Sequence, residues 1–139
     1  IEAMLKRPSV RLSEAHEDDL ADKDCLIIDS FGLLSSIYRY GQIAYIGGGF
    51  GAGIHNTLEA AVYGMPVLFG PRYHKFKEAK DLIAVGGGFS ITDDSTFRTK
   101  MDELLTDPTA LETSGQAAGD FVKNSVGATD QILRQIHIR

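Results

Sequence analysis

The sequence is poor in cysteine, in long apolar runs and in positive charge. Its single cysteine, Cys25, excludes an internal disulfide framework and a cysteine-rich zinc site. No apolar run approaches the roughly 20 residues that span a bilayer. Lys and Arg number 14 against 19 Asp and Glu, a formal net charge of −5. That balance argues against a general nucleic-acid binder, whose affinity rests on neutralising phosphates. His16, His55, His74 and His137 have no i, i+4 partner and no H-E-x-x-H motif, so neither a metal nor a cofactor is expected. There is no G-x-S-x-G elbow for a serine nucleophile, and no signal peptide is visible. The chain opens at Ile1 rather than Met, which leads us to expect a soluble piece of a longer protein.

What remains is an ordinary globular mixture, 43% apolar and 24% charged over 139 residues, which predicts one domain over 1–139 with a real core. Short aliphatic runs alternate with helical patterns. Val10, Leu12 and Ala15 mark a possible short strand, and His16 to Asp24 a charged loop. Cys25 to Ile28, Ile43 to Ile46, Val67 to Phe69 after Pro66, and Phe89 to Ile91 read as buried strands. Helices are expected over 33–40, over 56–63 with Asn56 and Glu59 as a capping box, and over about 75–85. Phe97, Met101, Leu104 and Leu105 predict another helix. Asp107-Pro108 opens a further one, with Leu111, Ser114, Ala118, Phe121 and Val122 on one face. A last helix is expected to carry Ile132, Leu133 and Ile136. Strands alternating with helices predict an α/β fold, a Rossmann-like parallel sheet flanked by helices.

In such sheets ligands bind beyond the carboxyl ends of the strands. Two segments lie there, Asp29-Ser30-Phe31-Gly32 and the much richer Gly47 to Glu59. Six of the seven residues from Gly47 to Gly53 are Gly or Ala, and the loop runs into an expected helix start. Backbone N–H groups at such a place suit a phosphate. The same stretch fits G-x-G-x-x-A, but the acidic residue of a dinucleotide site is absent about 20 positions on, which speaks against NAD. His55, Asn56 and Glu59 cluster at the helix start. Glu59 is open to two readings, a capping residue or a carboxylate that takes paired hydroxyls such as those of a ribose. Arg72, Lys75, Lys77 and Lys80, with His74 among them, outnumber Glu78 and form a basic rim that suits an anion.

The stretch Gly47-Gly48-Gly49-Phe50-Gly51-Ala52-Gly53-Ile54-His55-Asn56-Thr57-Leu58-Glu59-Ala60-Ala61, continued by Val62 to Pro71, resembles the 3-deoxy-D-manno-octulosonic acid (Kdo) transferases. These carry G-G-S/G…G-x-H-N-x-L-E-A-A…P-V-L-x-G-P. The match covers roughly 25–91 and extends toward the end of the chain. The resemblance implies a GT-B architecture, with this chain the C-terminal, donor-binding part and the acceptor domain absent. It implies transfer of Kdo from CMP-Kdo to a lipid A precursor, with inversion and without a metal, at the cytoplasmic face of the inner membrane of a Gram-negative bacterium. In the family the Asn-x-Leu-Glu stretch contacts CMP, and it falls on Asn56, Thr57, Leu58 and Glu59. A second donor motif, D-T/S-x-G-E-L, falls on Asp29 to Leu34 and points to Ser30, Phe31, Gly32 and Leu33. Gly48, Gly49, Gly53, His55, Lys75 and Lys77 complete the expected donor site, and no catalytic residue is expected in this chain. Leu33 stands where the family pattern has Glu, and Lys75 where it has Asn. The other readings are a UDP-sugar GT-B transferase, a UDP-GlcNAc 2-epimerase-like enzyme and a non-catalytic nucleotide-binding module.

Overall fold

The structure, a computed structural model, describes residues 6–29 and 32–137. Ser30 and Phe31 lie outside the described residues, as do the side chains of Ile132, Leu133 and Ile136. The chain divides into two compact units, 1–37 and 38–139. Among the described residues, every strand pair is parallel, and the strands form two sheets where the sequence suggested one.

In the first unit β1 (Ser9–Arg11) pairs with β2 (Cys25–Ile27), in the register Ser9↔Cys25. The unit also holds a 3₁₀ turn at Leu12–Glu14, α1 (Glu17–Leu20) and α2 (Leu34–Ile37). The charged loop foreseen at 16–24 thus contains one helical turn. The helix expected over 33–40 is only α2, followed by a 3₁₀ turn at Tyr38–Tyr40 that opens the second unit. β2 is not the buried strand its composition implied. Leu26 is 44% exposed between half-buried Cys25 and Ile27, because successive side chains of a strand point to opposite faces and one face here meets solvent.

Asp29 ties the end of β2 to the 3₁₀ turn. Its carboxylate accepts from the Ser13 backbone N–H at 3.0 Å and from the Ser13 hydroxyl at 2.5 Å. These two bonds hold the Asp29 carboxyl below its ordinary value of 3.8. A carboxyl depressed in the folded state adds stability above the unfolded pKa and loses it as pH falls through the folded value. Carbon-detected NMR titration of Asp29 is therefore expected to show a midpoint below 3.8 that moves upward in Ser13→Ala. An unmoved midpoint contradicts the clip.

In the second unit the sheet runs β3–β4–β5 (Ala44–Ile46, Val67–Phe69, Gly88–Ser90), with Ala44 opposite Val67 and Val67 opposite Gly88. Central β4 is fully buried. Its alternation builds two cores. Val67 and Phe69 join Ile46, Ile54, Ala60, Leu82, Ala118 and Val122 on one face, while Leu68 meets Ile91 and Leu104 on the other. Helices α3 (Leu58–Ala61), α4 (Lys77–Val85) and α6 (Pro108–His137) contribute to the first, and α5 (Asp94–Thr106) to the second. Both faces are covered, as a parallel sheet requires.

The helix signals hold in part. α4 stops where Gly86 turns left-handed at φ +85°, with its N–H directed to the Leu82 and Ile83 carbonyls. Asp107 caps α6, its Oδ1 accepting from the N–H groups of Thr109 at 3.1 Å and Ala110 at 3.2 Å. Ser114, Ala118 and Val122 are buried on one stripe, as expected. The separate last helix is not found, because α6 continues unbroken to His137. Leu105 is 61% exposed rather than inward. At about 100° per residue it lies about 80° around the helix from Phe97, off the stripe that Met101 and Leu104 hold.

Candidate functional site

Of the two segments expected at the carboxyl ends of strands, the richer one, Gly47 to Glu59, falls within the second unit, and Asp29 to Gly32 belongs to the first. β3 ends at Ile46 and β4 at Phe69, and the segments 47–57 and 70–76 leave from those ends. The glycine loop closes on itself. Gly51 and Gly53 N–H donate to the Gly48 carbonyl at 3.0 and 3.1 Å, and His55 N–H donates to the Gly47 carbonyl at 3.1 Å. Arg72 staples this loop to the segment after β4. Its N–H donates to the Gly49 carbonyl at 2.9 Å, and its Nη1 to the Gly51 carbonyl at 2.7 Å.

This geometry accounts for glycines that composition alone assigns to a ligand. Gly48 has φ +93°, and a Cβ there would strike the Gly53 carbonyl oxygen. A Cβ on Gly49 would stand 2.5 Å from the Gly70 backbone. Close chain approach thus requires these residues whether or not a phosphate binds. The N–H groups of Gly51, Gly53 and His55 are already donated within the loop, so they are not an open cradle for an anion.

The helix beyond the loop also differs from expectation. It spans only Leu58–Ala61, not 56–63. Asn56 does not form a capping box with Glu59. Its Oδ1 accepts from the Leu58 N–H at 2.9 Å, a bond two residues along the chain, which is the local turn that Asn side chains favour. A single turn presents little aligned dipole, so the anion site argued from a helix start is not supported.

Two hollows flank the loop instead, with Phe76 in the wall of both. One, of about 410 Å³, is lined by Ile54, His55, Asn56, Thr57, Leu58, Phe76 and Glu78. The other, of about 280 Å³, is lined by Ala52, Gly53, Arg72, His74, Lys75 and Phe76. A Cβ on Gly53 would come within 3.1 Å of the Phe76 ring, so glycine there lets the ring lie close to the loop. Tyr73 positions the second wall. It stands edge-on to Phe69 at 5.4 Å and stacks on His74 at 4.4 Å.

The expected residues separate accordingly. Gly53, His55, Asn56, Thr57, Leu58 and Lys75 line the hollows, and Gly48 and Gly49 shape the loop between the strands. Glu59 is exposed and lies in neither lining. Burial raises the Tyr38 phenol above its ordinary value, and the Glu59 carboxylate adds to that rise. Lys77 turns to its own helix, donating to Asp81 Oδ2 at 2.6 Å. That hydrogen bond, with the Asp81 charge, raises the Lys77 ammonium above its ordinary value. Gly32 and Leu33 are exposed in the first unit. Ile54, Phe76 and Glu78 in the linings were not foreseen as site residues. For Phe76 the available signal was an aromatic residue, one of two with Tyr73, inside the basic stretch that follows a strand.

Among the described residues, no group of His, Cys, Asp and Glu is arranged to hold a metal ion. No helix among them is long and apolar enough to cross a membrane. A further hollow, lined by Tyr45, Phe50, Ile91, Asp93, Asp94 and Phe97, is mainly aromatic, and its two acids are engaged with Thr96 and Arg98.

No family model matches the chain. The 3-deoxy-D-manno-octulosonic acid transferase of Aquifex aeolicus is 39% identical over 85 residues, 60% of this chain and 24% of that protein. The enzyme of the same name from Rickettsia conorii is 33% identical over 116 residues, 81% of this chain and 25% of that protein. That of Bordetella pertussis is 32% identical over 112 residues, 79% and 26%. The chain therefore spans about a quarter of the length of these curated relatives. Among solved structures, the C-terminal CMP-Kdo binding domain of WaaA from Acinetobacter baumannii matches with a TM-score of 0.72 and 26% identity, over 82% of this chain and 60% of that one. Motif, fold and relatives agree: the chain is a homologue of the 3-deoxy-D-manno-octulosonic acid transferases, with the α/β fold of their C-terminal domain.

Proposed function

We propose that this chain is the nucleotide-sugar donor domain of a Kdo transferase and that it binds CMP-Kdo. The observation that carries this reading is the pair of hollows that meet at Phe76, one hydrogen-bonding and one basic, at the carboxyl ends of β3 and β4. The first offers Asn56, Thr57 and His55 to the polar groups of a nucleoside. The second offers the Arg72 guanidinium to a phosphate, whose oxygens its planar fork fits. Glu59, exposed next to Leu58, takes the paired ribose hydroxyls from outside the hollow. Gly32 and Leu33 stand in the second donor motif, whose Ser30 and Phe31 belong to the same reading.

In the parent enzyme the sugar passes from CMP-Kdo to a lipid A precursor at the cytoplasmic face of the inner membrane. Inverting transfer needs a base that takes the proton of the acceptor hydroxyl. We place that base in the portion of the enzyme that this chain does not span. The isolated chain is thus expected to bind donor and to show no transfer.

Calorimetric titration with CMP, and with UMP and NAD in parallel, tests this. CMP binding is expected to be the tightest of the three. Glu59→Ala is expected to weaken it about tenfold, the loss that follows removal of a hydrogen bond to a charged group. A preference for UMP moves the chain to a uridine-nucleotide transferase. No affinity for CMP, or transfer catalysed by the isolated chain, contradicts the reading.

A further inference from the structure

The basic hollow holds more positive charge than the single negative charge of a phosphodiester requires. Its lining contains two permanent cations, Arg72 and Lys75, and no carboxylate. Arg72 is fixed in place through its bonds to the Gly49 and Gly51 carbonyls. Lys77, next along the chain from Phe76, is engaged with Asp81. Among the described residues no carboxylate pairs with Lys75. Two like charges on one wall repel unless an anion lies between or beside them.

We propose that Lys75 is a specificity-determining residue that binds the carboxylate of an acidic sugar on the nucleotide donor. This deepens the donor reading above and rests on it. A sugar-acid nucleotide of the CMP-Kdo kind brings two negative charges, one on the phosphodiester and one on the carboxylate. A neutral sugar nucleotide of the same type brings one. The rigid, anchored guanidinium of Arg72 suits the phosphate. The ammonium of Lys75, a point charge on a flexible stem, suits a carboxylate displaced from it by the length of the linkage. The hollow thereby matches the charge of the whole donor and not only that of its nucleotide.

The test compares the methyl ester of CMP, a phosphodiester with a single charge, with CMP-Kdo on the 139-residue chain at fixed ionic strength. The wild type is expected to bind CMP-Kdo more tightly than the ester. Lys75→Gln is expected to lower CMP-Kdo affinity about tenfold and the affinity for the ester by no more than about twofold. Lys75→Arg, which keeps the charge, restores most of the CMP-Kdo affinity. Lys75 is exposed, so its replacement leaves the core intact. If Lys75→Gln weakens both ligands equally, the lysine serves the phosphate, and the inference fails while the donor site stands. If it changes neither, the inference likewise fails alone. If the wild type binds neither ligand, the donor reading fails and this inference with it.

Discussion

Gly49→Ala is expected to destabilise the second unit by more than about 3 kcal/mol, the upper range for forcing atoms into a packed interior. The added methyl would stand 2.5 Å from the Cα and N of Gly70. Both neighbours are backbone, so no rotamer change relieves the overlap. The loop after β3 and the segment after β4 must then separate, and the Arg72 bonds to the Gly49 and Gly51 carbonyls are strained with them. For a chain of this size that corresponds to a Tm lower by about 10 °C. Gly51→Ala, two residues away, is the control. Its methyl would meet only the Gly48 carbonyl oxygen, at 3.7 Å, an ordinary contact, so the shift is expected to stay within about 0.5 kcal/mol. Thermal melts of the two variants decide it. Equal shifts would contradict the close approach of the two segments.

Phe69→Ala is expected to cost about 3–5 kcal/mol, the range for removing a buried aromatic side chain. Phe69 is wholly buried at the end of β4. Its ring also carries the edge-on contact that positions Tyr73, and through Tyr73 the stacked His74 of the basic hollow. A milder change separates the two effects. Phe69→Leu keeps most of the apolar volume and is expected to cost about 1.5 kcal/mol or less. It nevertheless removes the aromatic contact, so CMP binding by the folded variant is expected to weaken. Unchanged binding in Phe69→Leu would mean that Tyr73 is held by its other neighbours.

The sequence was most legible where one strong local signal acted alone. β4 declares itself as Val-Leu-Phe after proline, α4 ends at a glycine that turns left-handed, and Asp107-Pro108 opens α6. It was least legible where distant backbone decides. Nothing local says that Gly49 must lie against Gly70, so the glycine run reads as a ligand cradle when part of it is a packing requirement. Asn56 and Glu59 have capping-box spacing, but the Asn56 side chain accepts from the Leu58 N–H and the helix is a single turn, Leu58–Ala61, that contains Glu59. Leu26 has the composition of a core strand and sits on a two-stranded sheet with an open face. The last helix expected to carry Ile132, Leu133 and Ile136 is not a separate element, because α6 runs unbroken to His137. Of the site, the stretch from His55 to Leu58 and the basic rim were legible as motif and charge. The Phe76 partition was not, because it depends on a ring lying over Gly53 from a segment more than 20 residues away.

The central claim is that a cytidine nucleotide sits against the two hollows that share Phe76. The most direct measurement is an amide NMR titration of the isotope-labelled chain with CMP. Saturable shifts are expected at residues 52–58 and 72–78, with the amides around Tyr45, Ile91 and Phe97 unmoved. Shifts centred on the aromatic hollow of Tyr45, Phe50 and Phe97, or no saturable shifts at all, would contradict it.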